Sequence, residues 1–185
     1  PRLFDRHIQK PELLYDRVCE VPGRVLDDGT EDQVLDVDAA RAALQAAFDD
    51  GIRSVAIVFM HAYKHPGHEK AVAKIAQQIG YEQVSPSHEV SPLIKFVGRG
   101  DTAVVDAYLS PILRRYVDQV ASELDTENTD LQLMFMMSSG GLTAAHLFQG
   151  RDAILSGPAG GIVGAVETSK LAGFEKIIGF DMGGT

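Results

Sequence analysis

The run Asp181-Met182-Gly183-Gly184-Thr185 combines the residue types that hold a phosphate. The residues before it, Lys176 to Asp181, are mostly apolar and predict a buried strand with Asp181 at its tip. Open α/β sheets bind ligands at the carboxyl ends of their strands. Gly183 and Gly184 permit a tight turn and let backbone N–H groups approach a phosphate with no Cβ in the way, and the Thr185 hydroxyl adds a donor. Asp181 is placed to hold Mg²⁺, directly or through water, or to orient an attacking water, which makes it the catalytic candidate. A plain Gly-Gly hairpin after an edge strand is the competing reading of the same five residues.

A second constellation is Ser156-Gly157-Pro158-Ala159-Gly160-Gly161-Ile162-Val163-Gly164, a glycine-rich loop leading into a helix. Helix N-termini bind anions, so Ser156, Gly157, Gly160 and Gly161 are candidate phosphate or carboxylate contacts. The run fits neither G-x-G-x-x-G nor G-x-x-x-x-G-K-[ST], which excludes a dinucleotide fingerprint and a P-loop here. Alternatively, Gly160, Gly161 and Gly164 let the helix pack tightly on the sheet. Ser139 and Gly140, in the turn Ser138-Ser139-Gly140-Gly141, are candidate substrate contacts. In Arg99-Gly100-Asp101-Thr102, Arg99 has the fork geometry for a phosphate or carboxylate, with a surface arginine as the bland alternative. Asp101 and Thr102 are first of all helix-start residues.

Other reactive types carry less. His61, His65 and His68 lie around Pro66-Gly67 with no ligand spacing, no cysteine and no repeated carboxylate, so they do not make a metal site. Nothing near Cys19 lowers its pKa, which leaves it structural. Met134, Met136 and Met137 read as strand core, and Tyr108 and Tyr116 as helix core.

These residues need elements to hold them. Residues 1–36 predict an entry segment with a hairpin: a β-prone stretch from Arg17 to Leu26, a turn at Asp27-Asp28-Gly29-Thr30, a return at Gln33 to Leu35, and a bulge near Pro22-Gly23. Residues 37–130 alternate. A helix capped by Asp36 or Asp38 turns Ala40, Leu44, Ala47 and Phe48 inward and closes at Gly51. The apolar run Ser54 to Met60 predicts a strand buried on both faces. A helix follows Pro66, with Ala71, Val72, Ile75 and Ile79 inward and Gly80 as its stop, and Glu82 to Pro86 makes a short parallel strand. A long helix spans 101–124, capped by Asp101 and kinked by Pro111. Residues 131–185 predict a strand from Leu131 to Met137, a helix from about Gly160 to Ala172, and the strand that ends at Asp181. The fold class is α/β, with a mainly parallel sheet and flanking helices.

Composition bounds the function. Of 185 residues, 45% are hydrophobic and 23% charged, enough for a packed domain. The formal net charge of −9 argues against nucleic acid or an anionic membrane surface as partner. No apolar run approaches the roughly 18–20 residues of a membrane span. The single cysteine suits a reducing, cytoplasmic compartment. The start at Pro1 and the stop at Thr185, inside a turn, give the expectation of an internal fragment.

Six motifs in order resemble the 5-oxoprolinase/hydantoinase family: Ser87-His88-Glu89-Val90-x-Pro92, Arg99-Gly100-Asp101-Thr102, Asp106-Ala107-Tyr108-Leu109-Ser110-Pro111, Ser139-Gly140-Gly141-Leu142, Ser156 to Gly161, and Gly179 to Thr185. Lys10-Pro11-x-x-Leu14-Tyr15 matches as well. Arg-Gly-Asp-Thr followed by Asp-Ala-Tyr-Leu-Ser-Pro is closer to the ATP-dependent 5-oxoprolinases than to N-methylhydantoinases or acetone-carboxylase-type subunits. The resemblance implies an actin-like, ribonuclease H-like ATPase fold whose two lobes clamp ATP and Mg²⁺, with Asp181 to Thr185 as the second-lobe phosphate hairpin. It implies a small lactam or hydantoin substrate, opening of 5-oxo-L-proline to L-glutamate in glutathione metabolism, a second hydantoinase B-type subunit or domain, and a homo-oligomeric parent. The first-lobe hairpin is not in the chain, so the isolated fragment is expected to be inactive.

Overall fold

The computed structural model describes residues 12–126 and 131–182. Its best-buried part is built from α1 (Val37–Asp49), β3 (Ser54–Ile57), α2 (Gly67–Ile79) and β4 (Gln83–Pro86). The Asp36 carboxylate accepts the Ala39 N–H at 2.8 Å and so satisfies one orphan donor of α1. Gly51 and Gly80, at φ +94° and +108°, take the left-handed conformation that reverses the chain after each helix. β3 and β4 pair in parallel, Ser54 opposite Gln83 through Ile57 opposite Pro86, with α2 as the crossover. Ala40, Leu44, Ile57, Val72, Ala73, Ile75, Ala76 and Tyr81 form the core between helices and strands. The Tyr81 hydroxyl donates to the Leu44 carbonyl at 2.8 Å, which lets a phenol sit in that core. Burial holds its pKa above the ordinary phenol value.

The predicted entry hairpin is shorter: β1 (Arg24–Val25) pairs antiparallel with β2 (Glu31–Gln33), with an irregular register between Arg24 and Val25. The three histidines clasp it. His61 Nδ1 lies 2.8 Å from the Val25 carbonyl, His65 Nε2 3.0 Å from the Asp27 carbonyl, and His68 Nε2 2.7 Å from Glu31 Oε1.

After the short α3 (Ser87–Val90), α4 runs from Phe96 to Glu123, starting five residues earlier than expected and passing through Pro111. Asp101 and Thr102 are therefore inside the helix, not caps; Thr102 Oγ1 donates back to the Gly98 carbonyl. The buried face of α4 also differs from the expected apolar stripe. Arg99, Ala103, Asp106, Ala107, Ser110 and Val117 are buried, while Tyr108, Ile112 and Tyr116 are exposed. Small and polar side chains let neighbouring backbone come close on that side.

The last third differs most from expectation. β5 (Met134–Met136) pairs antiparallel with β6 (Leu142–Ala144), so Ser138 to Gly141 is the turn of a hairpin. Met134 is exposed, not strand core. The short α5 (Gly150–Ala153) and α6 (Ser156–Leu171) follow. Among the described residues only β3–β4 is parallel, so the mainly parallel sheet is replaced by three two-stranded sheets. Lys176 to Asp181 forms no strand: Ile178 is 98% and Phe180 88% exposed. A strand exists through its ladder partners, and no described segment pairs with this one. No helix among the described residues is long and apolar enough to cross a membrane.

Candidate functional site

Two polar networks grow from the ends of β3, β4 and α4. In the first, the Glu69 carboxylate, 0% exposed, accepts from the Phe59 N–H at 2.8 Å, the Ser87 hydroxyl at 2.5 Å and the His88 N–H at 2.8 Å. His88 Nδ1 lies 2.7 Å from the same carboxylate. Arg99, 1% exposed, donates to the Ser87 hydroxyl at 2.7 Å and to the carbonyls of Leu93 and Phe59 at 2.8 and 2.5 Å. Ser87 thus bridges a buried anion and a buried cation. The hydrogen bonds to the Glu69 carboxylate and from the Arg99 guanidinium make burial of the two charges tolerable, while His88 Nε2 is buried with no hydrogen-bond partner among the described residues. This corrects both sequence readings of Arg99: it is neither a surface residue nor open to a substrate anion. It ties the segment after β3 to α4.

The second network surrounds Asp106, 2% exposed. Its Oδ2 accepts from the Ser85 hydroxyl at 2.7 Å, and its Oδ1 from the Ser110 hydroxyl at 3.1 Å and the Arg151 N–H at 3.2 Å. The Gly150 N–H donates to the Ser110 hydroxyl at 3.0 Å. The Arg151 guanidinium donates to the carbonyls of Glu89 and Val90. Gly150 has no room for a side chain, since an added Cβ would lie 2.8 Å from the Ser110 nitrogen. α5 is therefore seated directly on α4.

α5 in turn holds the glycine turn. The Ser138 N–H and hydroxyl both donate to the Asp152 carbonyl at 2.7 Å, and the Leu155 N–H donates to the Ser138 hydroxyl at 2.9 Å. One serine fixes the hairpin turn and the residue before α6 together. Ser139, the candidate substrate contact, is the next residue of the same turn. In the pair Ser138-Ser139 the sequence holds no signal for which hydroxyl turns inward. Gly140, at φ +83°, meets Val163 of α6, with an added Cβ 3.3 Å from Val163 Cγ2.

The structure brings three of the predicted groups together. Ser156, Gly157, Gly160 and Gly161 form the opening turns of α6 itself, not a loop before it. No side chain caps that end and no acidic residue stands in its first turn, so it presents the positive end of a helix dipole. An added Cβ at Gly160 would lie 3.5 Å from Met136 Cγ, and one at Gly161 3.8 Å from Asp181 Oδ2. Hairpin, helix start and Asp181 thus converge around glycines. Gly183, Gly184 and Thr185 lie outside the described residues. Among the described residues no three metal-ligating side chains cluster.

Residues 99–185 match the family model Hydantoinase/oxoprolinase, and residues 1–80 match Hydantoinase/oxoprolinase N-terminal region. The chain belongs to the hydantoinase/oxoprolinase family. It is 39% identical to 5-oxoprolinase 1 of Arabidopsis thaliana and 37% identical to 5-oxoprolinase of Dictyostelium discoideum, in each case across 100% of the chain. The chain spans 16% and 18% of the length of those two relatives. Among solved structures, it resembles the ATP-dependent caprolactamase from Pseudomonas jessenii with a TM-score of 0.80 and 27% identity, over 99% of this chain and 28% of that one. The family expectation drawn from the ordered motifs therefore holds across the chain.

Proposed function

We propose that this family member works as part of an ATP-dependent lactam hydrolase that opens 5-oxo-L-proline to L-glutamate. The observation that carries the reading is the convergence of the Asp181 carboxylate with the uncapped, glycine-rich start of α6. An anion-accepting helix end beside an acidic residue is the arrangement that phosphoryl transfer needs, since that reaction asks for positioning and charge neutralisation. The lactam substrate is supported by 37–39% identity to two 5-oxoprolinases, against 31% to the caprolactamase alpha subunit of Pseudomonas jessenii.

A five-membered lactam is a resonance-stabilised amide that water attacks slowly. ATP supplies a phosphoryl group for its carbonyl oxygen; water then adds to the activated carbon, the ring C–N bond breaks with the nitrogen leaving as the amine, and a second water hydrolyses the resulting acyl phosphate to carboxylate and phosphate. In this reading Asp181 would hold Mg²⁺, directly or through water, and the ion would neutralise charge on the transferred phosphoryl group. The start of α6 at Ser156, Gly157, Gly160 and Gly161, with Gly183, Gly184 and Thr185, holds phosphate oxygens. Ser139 and Gly140 sit on the turn beside them and are offered to the substrate. The surrounding architecture is the actin-like, ribonuclease H-like clamp, working in the cytoplasm with a hydantoinase B-type partner subunit or domain in a homo-oligomer.

The test is ATP hydrolysis by the full-length protein, with and without 5-oxo-L-proline, followed by amino-acid analysis. Glutamate appearing in step with ADP supports the reading. ATP hydrolysis that responds instead to a hydantoin, a larger lactam or a ketone moves the protein to the N-methylhydantoinase, caprolactamase or acetone carboxylase branch. ATP binding with no substrate-stimulated turnover favours an actin-like scaffold.

A further inference from the structure

The motif Asp106 to Pro111 has no place in the phosphate site, yet two of its polar side chains are buried where α5 meets α4. We propose that Asp106, acting with Ser110, is a positioning residue that fixes the glycine turn and the start of α6 through α5. The path is continuous. Asp106 and Ser110 hold the Arg151 and Gly150 N–H groups, at 3.2 and 3.0 Å. Two residues on, the Asp152 carbonyl receives both donors of Ser138 at 2.7 Å. The Ser138 hydroxyl then receives the Leu155 N–H at 2.9 Å, immediately before α6.

The network also defines why this residue is a carboxylate. Arg114 donates to Gln83 Oε1 at 2.9 Å, which turns the Gln83 amide nitrogen toward Ser85 Oγ at 2.8 Å. With that nitrogen donating, the Ser85 hydroxyl hydrogen goes to Asp106 Oδ2 at 2.7 Å. The donors are thus oriented one after another from Arg114, and they arrive at an oxygen that must accept. An asparagine whose Oδ1 keeps Arg151 and Ser110 would present its NH₂ to those donors. Buried donor facing donor is costly, because neither is satisfied. Asp106→Asn is nearly the same size and removes the arrangement without opening a cavity.

This inference rests on the phosphate-site reading for its effect on nucleotide, so the test has two readouts in the full-length protein. The first is backbone hydrogen exchange at Ser138, Gly140, Arg151 and Leu155. In Asp106→Asn these amides exchange at least about tenfold faster, while amides of α2 keep their rates. The second is the dissociation constant of ATP, which rises about tenfold in Asp106→Asn and in Ser110→Ala. Tyr81→Phe, which loosens the core without touching α5, leaves ATP affinity and the exchange of those four amides unchanged. Unchanged exchange at those four amides in Asp106→Asn overturns the positioning role, whatever ATP does. Faster exchange there with no ATP binding by the wild-type protein keeps the positioning role and overturns the nucleotide reading. Equal losses of ATP affinity in Asp106→Asn and Tyr81→Phe make the effect one of general stability and also overturn the proposal.

Discussion

Residues 36–90 and residues 131–182 are built from similar elements but differ in what covers them. In the first region, two helices and a parallel strand pair bury one another, and eight residues form a contiguous core. In the second, α6 has no buried residue, and Ile162, Leu171, Ile178 and Phe180 face outward. That region is held to α4 by point contacts: the Gly150 seat, the Arg151 clip onto α3, and a ring series in which Tyr116 meets Phe135 at 6.4 Å and Phe135 stacks on Phe148 at 5.0 Å. One region has a contiguous buried core. The other carries the candidate chemistry and takes its geometry from a few hydrogen bonds.

The comparison is broken most directly by attacking the best-buried charge. Glu69→Ala strips the Phe59 and His88 N–H groups and the Ser87 hydroxyl of their acceptor and removes the carboxylate that shares Ser87 with Arg99, at a cost of about 3–5 kcal/mol. Amides of the first region, Phe59 and His88 first, should lose protection in hydrogen exchange on the full-length protein. The double variant Glu69→Ala, Arg99→Met should cost less than the sum of its parts, since each partner is a liability only without the other. Additive costs would mean that the two charges do not sense each other across Ser87. Asp181→Ala makes the opposite demand. It should lower ATP turnover at least about 10³-fold, about 4 kcal/mol in the barrier, while protection in residues 36–90 stays as it was. Full turnover by that variant would remove Asp181 from the chemistry.

How legible each region was follows the same division. Asp36, Gly51 and Gly80 mark the ends of α1 and α2, and the run Ser54 to Met60 marks β3, although the strand stops at Ile57, the one residue of it that is buried. The apolar run before Asp181 predicts a strand, but no described segment supplies the ladder partner a strand needs. Ser138 to Gly141 reads as a turn, but its return strand Leu142–Ala144 has only three residues, too few for periodicity to register. Arg99 was weighed as a surface or ligand-facing residue because a charge is rarely fully buried. Its partner Ser87, twelve residues away, has no sequence signature. Asp181 and the glycines of α6 stand out in the sequence by residue type, whereas the support that Ser138 and α5 give the turn rests on hydrogen bonds with backbone groups that no residue pattern marks.

A smaller effect sharpens the seam between the regions. Gly150→Ala places a methyl 2.8 Å from the Ser110 nitrogen and 2.9 Å from Leu109 Cβ, so backbone has to move. The expected cost is about 1–3 kcal/mol, confined to residues 131–171 and seen as earlier proteolytic cleavage there at unchanged protection of α1 and α2. Gly157→Ala, where an added Cβ meets nothing within 4 Å, is the matched control and should leave cleavage unaltered.

The smallest effect tests the better-buried region through its one buried phenol. Burial raises the Tyr81 pKa in the folded protein, and its hydroxyl donates to the Leu44 carbonyl. Tyr81→Phe should therefore cost about 1 kcal/mol at neutral pH, where the carbonyl loses its donor. The sign with pH follows from linkage. The folded pKa lies above the unfolded value of about 10, so the folded state holds its proton longer. The tyrosine's contribution is complete below about pH 10 and is lost as pH rises through the folded pKa. The gap in denaturation midpoint between wild type and Tyr81→Phe should then narrow above pH 10 and be constant below it. The alkaline absorbance difference between the two proteins isolates this one phenolate and should appear later than that of a free tyrosine. A phenolate signal at the ordinary pKa would mean that water reaches Tyr81, and that the core of the first region is no better covered than the second.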